Sequence, residues 1–240
     1  MSKVILVTGS NSSIGFELVR ILAEKGHTVY LSARNEEAGL EAQKILHAKG
    51  LTNVKFVLLD IRDTASIERA KNTIEEAEGR LDALVNNAAI SRNDTLRRAS
   101  ELDIAVFKDI METNFVGLVQ TTTAFVPLLR KSSDPSIVNV SSGLGSSTYQ
   151  TRRGQPTLFT AYAVSKAAVN SYTVNLSQDL EKEGFKVNAV CPGLVSSRLN
   201  NFIEGGKSLE AGAQAIEPFV LLDKDGPTGK FYSQGVEMEW

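Results

Sequence analysis

From residue 4 onward the chain alternates short apolar runs with longer segments of helical spacing, and this alternation constrains the fold more than any other feature. Residues 4–7, Val-Ile-Leu-Val, form a continuous apolar run of the kind buried on both faces of a parallel sheet. A turn of Gly, Ser and Asn leads into 14–25, where Ile14, Leu18, Ile21 and Leu22 fall on one helical face and Gly26 supplies the stop. The unit then repeats. Strand 28–33 precedes helix 36–49, and strand 54–59 precedes helix 64–78, with Gly50 and Gly79 as their stops. A short strand at 83–85 precedes a long helix over about 103–130, whose last turn Pro127 is expected to disturb. Strand 137–140, helix 160–183, strand 186–190 and a last strand near 230–233 complete the pattern. Such alternation specifies an α/β chain built on one doubly wound parallel sheet of about seven strands, with helices on both faces. Right-handed crossovers put the C-terminal ends of the strands on one edge, where ligands bind at the switch in strand order.

No linker, repeat or low-complexity segment interrupts the 240 residues, so residues 1–240 read as a single domain. The stretch 143–156, rich in Ser, Thr, Gly and Arg, reads as an insertion over the ligand-binding edge. Lys and Arg number 26 against 28 Asp and Glu, which gives no global field for nucleic acid or an anionic membrane. With Cys191 the only cysteine and His27 and His47 the only histidines, an internal disulfide is impossible and no metal site is expected. The apolar run near the start is too short for a signal-peptide core, and no run approaches the roughly 18 residues of a membrane span. A soluble, reducing, cytoplasmic setting is expected.

The turn Thr8-Gly9-Ser10-Asn11-Ser12-Ser13-Ile14-Gly15 joins the first strand to the first helix. There, unpaired N–H groups and the positive end of a helix meet small residues, which is a site for a pyrophosphate. Gly9 makes the turn, and Gly15 lets the helix pack closely. The turn resembles Thr-Gly-x-x-x-Gly-Ile-Gly, the phosphate loop of the short-chain dehydrogenase/reductases, which have a Rossmann-type fold. It departs from that pattern at Ser13, which replaces the middle glycine: a Cβ narrows the gap to the pyrophosphate, while a hydroxyl can hydrogen-bond a phosphate oxygen. The resemblance implies that Gly9, Asn11, Ser13, Ile14 and Gly15 line the cofactor.

The second strand ends at Arg34 with no acidic residue until Glu36. An acid there would favour NAD through the ribose hydroxyl, whereas a planar guanidinium suits a 2′-phosphate. NADP(H) is therefore favoured over NAD(H), the alternative for Arg34 being a solvated surface charge. Asp60-Ile61 resembles the family pair that meets the adenine, and Asp63 is an alternative as a simple helix cap. Asn86-Asn87-Ala88-Ala89 resembles the family's Asn-Asn-Ala-Gly, which implies both sheet-stabilising and ribose-contacting roles for Asn87 and Ala88.

Tyr162-Ala163-Val164-Ser165-Lys166 carries the chemistry. Positions i and i+4 share a helical face, so the phenol and the ammonium can reach one ligand. A cation beside a phenol stabilises the phenolate, which proton transfer at neutral pH requires. Tyr162 and Lys166 thus read as catalytic and as cofactor contacts. The ending Val140-Ser141-Ser142 resembles the family's fifth strand, which implies that Ser142 stabilises the substrate oxyanion, with Ser141 the alternative by one position. Glu112-Thr113-Asn114-Phe115 resembles the segment of the fourth catalytic residue. That implies that Asn114 holds a kink and a proton-relaying water, the alternative being a structural hydrogen bond. Cys191-Pro192-Gly193-Leu194-Val195-Ser196-Ser197 resembles the nicotinamide clamp, implying contacts from Pro192, Gly193, Val195 and Ser197. Cys191 reads as a buried small residue, since no histidine is placed to activate it.

The resemblance runs from residue 3 to 233. The gap between Ser142 and Tyr162, together with the tail Gly226-Pro227-Thr228-Gly229-Lys230-Phe231 and Trp240, is similar to the carbonyl reductases. It implies an NADPH-dependent reductase of a small-molecule ketone or aldehyde, monomeric or homo-oligomeric. The alternatives are an oxidative dehydrogenase of secondary alcohols or polyols, and a non-catalytic dinucleotide sensor or scaffold. Segments 143–159 and 199–209 are expected to frame the substrate pocket, with Leu144, Tyr149, Phe159 and Phe202 as apolar walls, and Arg152 and Arg153 as candidates for attracting an anion.

Overall fold

The computed structural model describes residues 2–93, 97–152, 154–156 and 158–240. Its centre is an eight-stranded sheet in the order β3-β2-β1-β4-β5-β6-β7-β8. The strands are β1 (Val4–Val7), β2 (Thr28–Ala33), β3 (Val54–Leu58), β4 (Ala83–Asn86), β5 (Ser136–Val140), β6 (Lys186–Cys191), β7 (Phe231–Ser233) and β8 (Val236–Met238). The first seven are mutually parallel, and β8 pairs antiparallel with β7. The sheet therefore has one strand more than the seven expected. The chain turns back at Gln234 and Gly235, both with positive φ, and pairs Val236 with Ser233.

Alternate residues of the strands feed two cores. Ile5, Val7, Val29, Leu31, Val85 and Val138 pack against α1 (Ser13–Glu24), α2 (Glu36–Ala48) and α8 (Leu209–Val220). Val4, Leu6, Tyr30, Leu84, Ile137 and Val187 pack on the opposite face against α3 (Thr64–Glu78), α5 (Gly117–Leu129) and α7 (Thr160–Asp179). Period-two side-chain alternation in strands buried on both sides is what makes the sheet doubly wound. Each large apolar side chain so buried contributes about 1.5–3 kcal/mol.

The long helix expected over 103–130 is interrupted. It runs as α4 (Ile104–Met111), one wide π turn (Glu112–Val116), and α5. Pro127 does not disturb it, since α5 continues to Leu129 and the Arg130 N–H still reaches the Val126 carbonyl at 3.0 Å. The helix expected over 160–183 ends instead at Asp179, followed by a single 3-10 turn (Glu181–Glu183). Among its described residues the insertion carries a 3-10 turn (Gly143–Gly145) and one short α-helix, α6 (Ser147–Gln150). Among the described residues, no helix is long and apolar enough to cross a membrane.

The strand order reverses between β1 and β4, whose neighbours on the far sides are β2 and β5. The C-terminal ends of β1, β4, β5 and β6 therefore open onto one cleft.

Candidate active site

The cleft holds about 1650 Å³ and runs from the end of β2 past the β1–α1 turn to the insertion between β5 and α7. Every catalytic or cofactor residue assigned to it from the sequence borders it, except Asn114.

At the cofactor end, two buried serines fix the turn to the second strand. Ser10 Oγ donates to the Val7 carbonyl at 2.7 Å and accepts from the Ser32 N–H at 2.9 Å, and Ser32 Oγ accepts from the Gly9 N–H at 3.2 Å. Gly9 has φ +58°, and a Cβ there would lie 2.8 Å from the Ala88 Cβ. A Cβ at Gly15 would lie 2.6 Å from Asn87 Nδ2. Ser13, where the family pattern has glycine, also has a left-handed backbone, φ +55°. Its hydroxyl accepts from the Arg198 N–H at 3.3 Å. Helix α1 starts after Ser12 with no side-chain cap, whereas Asn35, Asp63, Asp103 and Ser208 cap α2, α3, α4 and α8. The first N–H groups of α1 thus keep their donors for an anion in the cleft.

Asn87 serves the sheet: its Nδ2 donates to the carbonyls of Thr8 and Gly9 at 2.9 and 3.0 Å. Thr8 Oγ1 accepts from the N–H groups of Asn87 and Ala88 at 2.9 and 3.0 Å. Asp60 Oδ1 accepts from the Arg62 N–H at 2.9 Å, Ile61 is buried beneath Gly117, and Asp63 caps α3. Arg34 is exposed at the rim, and among the described residues no carboxylate pairs with it. Tight glycines, uncapped helix donors and an unpaired guanidinium together fit a phosphorylated dinucleotide. Among the described residues no three His, Cys, Asp or Glu side chains come together as a metal site.

At the other end, Tyr162 and Lys166 lie one turn apart on α7. The Lys166 ammonium is 5.7 Å from the Tyr162 ring centroid and donates to the Val140 carbonyl at 2.8 Å. Ser142 hydrogen-bonds the Tyr162 phenol. Ser141 points elsewhere, its hydroxyl donating to Asn170 Oδ1 at 2.6 Å. The Tyr162 ring is partly open to the cleft, but its phenol is enclosed by protein. That burial pushes its pKa well above the ordinary value, Cys191 adds to the rise, and the Ser142 bond opposes it. Burial also pushes the Lys166 ammonium down to about 8.

Asn114 is 1% exposed and sits in the π turn. Its Oδ1 accepts from the Ile90 N–H at 2.8 Å, while Nδ2 donates to the Ile90 carbonyl and to Ser165 Oγ at 2.9 and 3.0 Å. Ser165 in turn donates to the Tyr162 carbonyl at 2.7 Å. The π turn, the loop after β4 and the first turns of α7 are thus bound together.

After β6, Pro192 and Gly193 border the cleft and Val195 is buried. Asn200 braces the segment, with Oδ1 accepting from the Ser197 N–H at 3.0 Å and Nδ2 donating to the Val195 carbonyl at 2.8 Å. Cys191 is buried, its sulfur accepting from the Gly143 N–H at 3.2 Å. The chain beyond Ser197 crosses the cleft: the Leu199 carbonyl accepts from Ser91 Oγ at 2.5 Å and Asn93 Nδ2 at 2.6 Å.

Leu144, Tyr149 and Phe159 line the substrate end, but Phe202 does not. Left-handed backbone at Asn201 and Phe202 turns the ring outward, and it is 62% exposed. Arg152 lies over the Tyr149 ring, 5.6 Å from its centroid, while Arg153 lies outside the described residues. Ser10, Ser32, Ser165, Asn170, Asn200 and Arg198 were not singled out from sequence. The bonds of Ser32, Asn170 and Arg198 cross between elements, as do the Ser10–Ser32 and Ser165–Asn114 bonds, and follow from register, whereas Asn200 makes local bonds within its own segment.

The short chain dehydrogenase family model matches residues 3–207. The chain is 31% identical to a (+)-neomenthol dehydrogenase from Capsicum annuum, covering 95% of this chain and 94% of that protein. It is 32% identical to a (−)-isopiperitenone reductase from Mentha piperita, covering 95% of each. An NADPH-bound carbonyl reductase from chicken fatty liver superposes with a TM-score of 0.87 at 26% identity, covering 100% of this chain and 99% of that one.

Proposed function

The chain belongs to the short-chain dehydrogenase/reductase family, and from that premise we propose that it is a carbonyl reductase, converting a ketone or aldehyde to the alcohol with NADPH. The observation that carries this reading is the meeting of Ser142, Tyr162 and Lys166 at one end of a cleft whose other end presents Arg34.

In this reading the phosphate turn, Gly9, Asn11, Ser13, Ile14 and Gly15, takes the pyrophosphate, and Arg34 takes the 2′-phosphate, all of them bordering the cleft. Asp60 and Ile61 flank the adenine, Asn87 and Ala88 the ribose, and Pro192, Gly193, Val195 and Ser197 the nicotinamide. When bound, NADPH supplies the hydride. The residues of the chain handle the oxygen and the proton. Ser142 and Tyr162 hydroxyls, already hydrogen-bonded to each other, hold the substrate oxygen between them. Burial keeps Tyr162 protonated at neutral pH, the state needed to donate to the nascent alkoxide. The Lys166 ammonium faces the phenolate left behind. Asn114 holds the π turn open to a water that returns a proton through Lys166.

Segments 143–159 and 199–209 frame the substrate pocket, and Leu144, Tyr149 and Phe159 suit a ketone with an apolar body. The named relatives include enzymes of neomenthol and isopiperitenone, and an NADPH-bound carbonyl reductase shares the fold. A non-catalytic sensor would have no use for the Ser142–Tyr162–Lys166 grouping.

The test is fluorescence titration with NADPH and NADH, followed by nucleotide oxidation on adding a panel of ketones and aldehydes. Tighter NADPH binding with turnover of an apolar ketone is the expected result. Binding with no turnover across the panel would overturn the reductase in favour of the sensor.

A further inference from the structure

We infer that Arg198 is an anion-binding residue of the cleft that meets the dinucleotide pyrophosphate from beside the glycine turn. The inference rests on the cofactor reading above and adds a ligand to it. A pyrophosphate brings negative charge on both phosphates, yet the turn from Thr8 to Gly15 contains no basic residue. It offers only backbone N–H groups and the positive end of α1.

The other cations of the cleft are committed or distant. Arg62 and Arg92 both bond Asp109, at 2.7 and 2.8 Å. Lys166 is buried against the Val140 carbonyl, and Arg152 lies over Tyr149 at the substrate end. Arg34 stands at the end of β2, where a ribose 2′-phosphate belongs. Arg198 remains. It borders the cleft, it is exposed, and among the described residues no carboxylate pairs with it.

Its position over the turn is fixed by the backbone. The Arg198 N–H donates to Ser13 Oγ at 3.3 Å, so the residue lies directly against the phosphate turn. The next residue, Leu199, is anchored on the far wall through Ser91 and Asn93. The residue is therefore pinned between the start of α1 and the far wall, and its guanidinium, with no carboxylate partner among the described residues, is available for the charge-assisted bonds that a phosphate accepts. Because Ser13 is met by a backbone N–H, substitution of the Arg198 side chain leaves that contact in place.

The test is titration of NADPH and NADH onto the wild-type chain, Arg198→Ala, Arg198→Lys and Arg34→Ala, read by nucleotide fluorescence at two salt concentrations. Arg198→Ala is expected to weaken both nucleotides by about tenfold, leave their ratio unchanged and flatten the salt dependence. Arg198→Lys is expected to recover most of the loss, and Arg34→Ala to weaken NADPH alone. Arg198→Ala affinities within twofold of wild type for both nucleotides, or a loss confined to NADPH, would overturn the proposal while leaving the cofactor reading intact. A wild-type chain that binds neither nucleotide would overturn both.

Discussion

The Lys166 ammonium stands 5.7 Å from the centroid of the Tyr162 ring and spends its hydrogen bond on the Val140 carbonyl. A buried ammonium with one neutral partner is a strained charge, and burial brings its pKa down from 10.5 to about 8. The unfolded lysine still titrates near its ordinary value. Between about 8 and 10.5 the unfolded chain therefore holds the extra proton, and stability rises with pH through that window. The cost of the buried charge is fully present below it. Lys166→Met removes the charge, so its stability relative to wild type should fall by up to about 3 kcal/mol between pH 7 and 10. Denaturant unfolding of both proteins at the two pH values measures this, and a difference independent of pH would contradict it.

Ser13 occupies a left-handed backbone position that glycine adopts without strain. Ser13→Gly is expected to hold or raise stability, by up to about 1 kcal/mol, and to hold or improve NADPH affinity. Ser13→Ala keeps the strained backbone and loses the bond to Arg198, and should gain neither. A large loss of affinity in Ser13→Gly would mean that the hydroxyl makes a needed phosphate contact.

Arg34 lies exposed at the cofactor rim without a carboxylate partner among the described residues. Arg34→Ala should weaken NADPH by about tenfold or more and leave NADH unchanged, as expected for loss of a charge-assisted pair with the 2′-phosphate. An unchanged preference between the two nucleotides would reduce Arg34 to a surface charge.

Asn170 bridges the Ser141 hydroxyl and the Gly145 carbonyl, at 2.6 and 3.1 Å, and so fixes both flanks of Ser142 to the helix that carries Tyr162 and Lys166. Asn170→Ala leaves buried polar atoms unpaired and should cost about 1–3 kcal/mol of stability. Turnover should fall more than nucleotide affinity, because the misplaced group is Ser142. Equal loss in both would indicate a general loosening of the fold.

The alternation of strands and helices was legible because both-face burial writes continuous apolar runs into β1 and the first three residues of β4, while amphipathic helices carry their own period. The Tyr162–Lys166 pair was legible for the same local reason, one helical turn of spacing. What escaped depends on contacts between elements. The π turn around Asn114 leaves little mark on apolar spacing, so that only the family resemblance pointed to a kink there, and β8 is three residues long. The pairing of Ser10 with Ser32 and the reach of Asn170 to Gly145 arise only once β1, β2 and α7 are in register. Phe202 misled because its apolar character pointed to a pocket wall, whereas two successive left-handed residues turn its ring outward.

Replacement of the Tyr162 phenol tests the central claim most directly. Tyr162→Phe removes one oxygen from a ring whose position is set by α7, and the Ser142 and Lys166 side chains remain. The account predicts a folded protein that still binds NADPH and loses carbonyl-dependent NADPH oxidation by at least about a hundredfold. Wild-type turnover in that variant would contradict the assignment of Tyr162 as proton donor, and with it the proposed mechanism.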